Sequence, residues 1–165
     1  MISLKIPEVK VFMAKLLTNN AFDFFLLREM QLQTFTNFNI SGQLNDNYYT
    51  NEELEERGDD SFVQWSEVRQ FAFSIIKGNK PPLSLKIIFQ LPKGHCETMI
   101  ERSGEKLRWE EIGGLFLNVR FEKGELHIIT GAAIKTFLLD KTIEQVWDME
   151  VKNILRVQGI VFEEE

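Results

Sequence analysis

Residues able to bind or react are few in this chain, and each group of them implies a particular chemistry. The segment "IITGAAIKTF" begins as a strand and loses its alternation at Thr130. Gly131 followed by Ala132-Ala133 leaves backbone N–H groups uncovered, so an anion can be cradled there with Lys135 adding charge. Read structurally, the same residues are a β-bulge or corner that lets Ile134, Phe137 and Leu138 pack under a helix, which is what an isolated glycine in a strand pattern favours. On that reading Gly131→Val unfolds the protein and Lys135→Ala changes little. Trp65 in "FVQWSE" and Trp109 in "LRWEE" stand beside polar loops, where an indole can offer a stacking surface, although the edge of a core is the simpler role. Trp147 falls on an apolar helical stripe and is core.

The reactive groups are sparser still. His95-Cys96-Glu97 sets three metal-binding types side by side, yet neighbours in sequence diverge in space, and zinc needs convergent ligands. Cys96 with His127 makes a nucleophile and base only if their elements adjoin, and no orienting acid or oxyanion signature accompanies them. Glu29, with Arg28 or His127 beside it, is the carboxylate to consider for a small enzyme. The acids of "TNEELEERGDDS" lack calcium-loop spacing, and neither a P-loop nor a G-x-G-x-x-G run occurs. No catalytic residue, metal ligand or cofactor follows from these patterns. The residues left as binding candidates are Thr130, Gly131, Lys135, Trp65 and Trp109.

The elements that must position them alternate between two periods. Ile2, Leu4 and Ile6 suggest a short strand, and Pro7 opens a helix with Val9, Phe12, Met13, Leu16 and Leu17 on one face. From Leu26 to Ile40 a period of two predicts one long strand or two joined by a bend. Residues 43–61 lack either period and predict an acidic surface loop, with at most one helical turn in "NEELEER". Phe71, Phe73 and Ile75, then Leu85, Ile87 and Phe89, predict a hairpin across the turn "KGNKPP". A polar connection "KGHCETMIERSGEK" leads to a second hairpin that turns at Lys123-Gly124. Asp140 is the expected N-cap of a last helix, with Ile143, Val146, Trp147, Val151, Ile154 and Leu155 on one stripe and Gly159 as its stop. The class is α+β, a mainly antiparallel sheet with an N-terminal and a C-terminal amphipathic helix, and one domain over 1–165.

Composition sets the wider limits. A chain of 165 residues, 44% apolar, with fourteen Phe against two Tyr, has enough to build a packed core without disulfide or metal. One cysteine excludes an internal disulfide, and the N-terminus has no apolar run of signal-peptide length, so a cytoplasmic protein is expected. No stretch approaches the apolar length of a membrane span. The net charge of −6 is concentrated in the acidic loop and in Glu163–Glu165, and no Lys and Arg run interleaved with aromatics forms a phosphate-tracking groove, which argues against nucleic acid.

The segments "FDFFLLREMQLQTFTNFNISG", "WSEVRQFAFSIIKGNKPPLSLKIIFQL" and "GGLFLNVRFEKGELHIITGAAIKTFLLDKTIEQVWD" together resemble a family of uncharacterised proteins from anaerobic Gram-positive bacteria, classed as a domain of unknown function. The resemblance covers nearly the whole chain and implies a stand-alone cytoplasmic protein, with no activity and no functional residue to carry over. Three classes of function remain: a non-catalytic binding or interaction module, a small carboxylate-dependent enzyme, and a nucleic-acid-associated domain loosely like one unit of a sliding clamp. Sparse catalytic groups favour the first, with a protein partner or a second copy joined at a sheet edge.

Overall fold

The computed structural model describes residues 1–58, 60–78, 80–135 and 141–165. These form five α-helices and one seven-stranded antiparallel sheet, so the protein is α+β. Strand β1 (Ser3–Ile6) leads into α1 (Val9–Leu17), which buries Phe12, Leu16 and Leu17. Strands β2 (Leu26–Gln33) and β3 (Asn37–Ser41) form a hairpin; the bend foreseen between residues 26 and 40 is a full reversal. The acidic stretch contains α2 (Asn51–Arg57), closed by a capping box in which Thr50 and Glu53 serve each other's backbone N–H, and it buries no residue.

Two expected features are corrected by the structure. The apolar residues at 71, 73 and 75 belong to helix α3 (Trp65–Ile76), not to a strand of a hairpin. Phe71 and Phe73 are 58% and 41% exposed, while Trp65 and Ala72 are buried and Val68, Ile75 and Ile76 pack beside them, at helical spacing. The alternating phenylalanines are therefore surface residues that mimic a strand, and the capping box of Gln64 with Glu67 is the stronger local signal. The polar connection after β4 (Ser84–Gln90) is likewise a helix, α4 (Lys93–Ser103), whose buried Cys96, Met99 and Ile100 make a narrow stripe.

Strands β5 (Ile112–Glu122) and β6 (Glu125–Ile134) form the expected hairpin, with Lys123 and Gly124 both at positive φ (52° and 77°), as a type I′ turn requires. Helix α5 (Thr142–Val157) buries Ile143, Trp147, Val151 and Leu155, and β7 (Glu163–Glu164) closes the far edge. Asp140, Phe137 and Leu138 lie outside the described residues. No helix among the described residues is long and apolar enough to cross a membrane.

The strand order is β3-β2-β4-β5-β6-β1-β7. Alternate strand residues (Leu4, Met30, Ile87, Val119, Ile128) join the inward residues of α1, α3, α4 and α5 in one apolar cluster. A stack of Phe22, Phe25 and Phe89, with Trp65 edge-on to Phe89 at 5.2 Å, fills its centre. All four of these helices thus cover one face of the sheet. On the opposite face Glu29, Ile88, Asn118 and Ile129 lie in one cross-strand row, and Gln31, Lys86, Arg120 and His127 in the next, all of them exposed or half-buried.

Candidate functional site

The open face is shaped by a β-bulge. Leu27 pairs with Phe89 and Glu29 with Ile88, so Arg28 is an extra residue in β2 with no cross-strand partner. A bulge suspends the strict alternation of side chains. Its effect here is that consecutive residues, Arg28 and Glu29, both line one groove of about 590 Å³ on the helix-free face.

Two aromatic rings frame the groove. Phe62 arrives on the return of the acidic segment, placed by its bridge to Gln43 and by the Leu27 N–H donating to the Val63 carbonyl at 2.8 Å. The Arg28 guanidinium lies over the Phe62 ring, 4.1 Å from its centroid, and 5.7 Å from that of Phe116. Its Nη1 donates to Gln90 Oε1 at 3.0 Å, and no carboxylate pairs with it among the described residues. Phe116 lies down over Gly114, where a Cβ would come within 2.7 Å of the ring.

The floor and rim complete it. Ile88, Gly131 and Ala132 form an apolar floor, and Ser41, Gln43 and Asn118 supply polar groups. Asn118 donates Nδ2 to the Ile129 carbonyl at 3.2 Å, which leaves its amide oxygen as an acceptor. Glu29 accepts from Gln31 Nε2 at 2.6 Å through one oxygen and keeps the other. Gly42 is required by the bulge: a Cβ there would sit 1.6 Å from the Leu27 carbonyl oxygen. The site is thus a shallow, mixed surface that offers a guanidinium, a carboxylate and two rings to one ligand.

Of the residues singled out in the sequence, Gly131 lines this groove. It is no bulge: β6 runs on to Ile134, with Gly131 paired to Phe116, and the irregularity lies on the partner strand between Ile112 and Gly114. A Cβ at Gly131 would meet Phe116 and Asn118 at 3.8 and 3.9 Å, ordinary contacts, so a side chain there fills the groove without a clash at its Cβ. Thr130 points to the other face, 1% exposed, where its hydroxyl accepts from the Ile2 N–H at 2.9 Å and donates to Asp148 Oδ1 at 2.5 Å, tying the sheet to α5. Lys135 is exposed and its backbone N–H meets the Glu111 carbonyl at 2.9 Å; it is not among the groove residues.

Trp65 is core and not a stacking platform: fully buried, it donates its indole N–H to the Leu16 carbonyl at 2.9 Å. Trp109, in the 3₁₀ turn Trp109–Glu111, is half-buried against the core. Cys96 is buried on the helix-covered side, where burial, and then the charge of Glu97, push its thiol up to about 11. His127 is on the opposite face, 2.8 Å from Glu165, so the sheet itself separates the two. His95 stacks on Phe24 at 5.0 Å, and among the described residues no three His, Cys, Asp or Glu gather to hold a metal ion.

Sequence reasoning missed Phe62 and Phe116: Phe116 is signalled by an aromatic at an outward position of a strand, whereas Phe62, outside any strand or helix, carries no local signal. No curated protein and no solved structure matches the chain. Residues 15–163 match the sequence model of DUF5721, a family of unknown function, and the chain belongs to that family.

Proposed function

We propose that the protein is a non-catalytic, cytoplasmic bacterial binding module that acts as one domain and takes a small anionic ligand on the open face of its sheet. The observation that carries this is Arg28, whose fork is steadied by Phe62 and Gln90 over an apolar floor while no carboxylate among the described residues occupies it. Such a pre-oriented guanidinium suits a carboxylate or phosphate, and the flanking rings suit a flat or apolar body. Glu29, Glu122 and Glu125 stand on this face among Arg28, Lys86 and Arg120, so its charge is mixed and it lacks the continuous basic groove that suits a polyanion such as nucleic acid. The test is isothermal titration with benzoate, 3-phenylpropionate and phenyl phosphate against the native protein, Arg28→Lys and Arg28→Ala. Binding that weakens about tenfold in Arg28→Lys and is lost in Arg28→Ala is expected, because Lys keeps the charge without the fork. Equal binding to all three proteins, or none to the native one, overturns the reading.

A second reading concerns partners, and β3 favours it. This strand is an outer edge of the sheet, its sequence Asn37–Ser41 holds neither charge nor Pro, and Phe35 at its turn is 91% exposed. Such an edge suits a second copy or an extended peptide added as a further strand.

A further inference from the structure

We infer that the ligand of the groove is zwitterionic, a free α-amino acid with an apolar side chain; this rests on the anion-binding reading above and narrows it. The bulge is the reason. In a regular strand consecutive residues face opposite sides, so a cation and an anion adjacent in sequence do not share a ligand. Here Arg28 and Glu29 line one groove, yet no ion pair joins them. Each is held by a neutral amide instead, Arg28 by Gln90 and Glu29 by Gln31, and each keeps further hydrogen-bonding capacity.

The spacing fits a compact zwitterion. Arg28 is anchored at the row of Gln90, Phe116 and Gly131, whereas Glu29 stands in the row of Ser41, Ile88 and Asn118. The rows are two residues apart along the strands, about 7 Å, and the two side chains form no ion pair with each other. A small ligand that carries both charges can answer each side chain with a charge-assisted hydrogen bond. An α-amino acid, with its ammonium and carboxylate on one carbon, is such a ligand. Its carboxylate takes the Arg28 fork, its ammonium donates to Glu29 and the Asn118 amide oxygen, and its side chain lies over Ile88 and Gly131 against Phe116. A singly charged molecule leaves one of the two charges unanswered.

The experiment is titration of the native protein with the twenty standard L-amino acids, then with deaminated and decarboxylated analogues of the tightest binder; for phenylalanine these are 3-phenylpropionate and phenethylamine. Each analogue is expected to bind at least about tenfold more weakly than the amino acid, since each leaves a charge-assisted bond unmade. Glu29→Gln, an isosteric change, is expected to make the amino acid and its deaminated analogue bind alike. A deaminated analogue that binds the native protein as tightly as its amino acid, with binding still lost in Arg28→Ala, overturns the zwitterion and leaves the anion site standing. Failure of amino acids, carboxylates and phenyl phosphate alike overturns both, and binding of phenyl phosphate alone overturns the zwitterion and leaves the anion site standing.

Discussion

Arg57 and Glu67 meet fork to fork, with Nη1 and Nη2 each 2.8 Å from a carboxylate oxygen, and this pair fastens the acidic segment to the start of α3. Glu67 also receives the Gln64 backbone N–H as part of the capping box, so one carboxylate holds two elements. Its carboxyl lies below the ordinary 4.5, first because of the Arg57 hydrogen bonds, opposed by partial burial. A depressed folded value means that the unfolded chain takes up the proton first as the pH falls, so the pair's contribution is present above 4.5 and is lost through the depressed value. The Glu67 hydrogen bonds also raise Arg57, which stays charged throughout this range and adds no pH dependence to it. Urea midpoints measured from about pH 7 to pH 3 should therefore fall less steeply in Glu67→Gln than in the native protein; parallel curves refute the assignment.

The two glycines of the groove make opposite predictions. Gly131→Val is expected to keep the fold, with a stability change under about 1 kcal/mol, and to weaken anion binding by filling the floor. Gly42→Ala is expected to destabilise by at least about 3 kcal/mol, because its Cβ collides with the Leu27 carbonyl and backbone cannot yield as a side chain does. Thermal unfolding of both, with titration of the first, decides between them.

Cys96 should be inert in the folded protein. Its side chain is fully buried and its thiol is raised from 9.0 to about 11, so a disulfide reagent such as Ellman's should react only after denaturation. The raised value also implies that the unfolded chain ionises first as the pH climbs, so the stability contribution present below 9.0 disappears by about 11. Rapid labelling at neutral pH would show that α4 opens more readily than its burial implies.

The outer edge β3 predicts self-association. An antiparallel pair of two copies centred on Asn39 sets Phe38 opposite the second copy's Ile40, continuing the apolar side, and Asn39 opposite itself. Sedimentation at micromolar concentration should show a dimer, and Asn39→Lys, which sets like charges against each other, should give a folded monomer with the native circular dichroism spectrum. A native protein that stays monomeric removes this reading.

Local sequence determined the elements that local forces control. The period of Phe12, Leu16 and Leu17, the four-residue spacing of Ile143, Trp147, Val151 and Leu155, and the Lys123-Gly124 turn each specify their own stretch, and each is found in the structure. The α+β class follows from them. At 65–76 the alternating phenylalanines pointed to a strand, while the capping box and the burial of Trp65 and Ala72 favour the helix, because amphipathic pattern has meaning only relative to the surface an element meets. The alternation along the strands already marked the two faces, with Met30, Ile87, Val119 and Ile128 on one side and Gln31, Lys86, Arg120 and His127 on the other, whereas tertiary structure decided which helices cover the apolar side. It also decided the groove. Arg28 and Glu29 were visible as a charged pair, but their turning to the same side depends on one unpaired residue in the register with β4, and Phe62 reaches Arg28 only because the chain returns through Gly42. Register and return path are set by contacts between residues far apart in sequence, and no period of two or 3.6 encodes them.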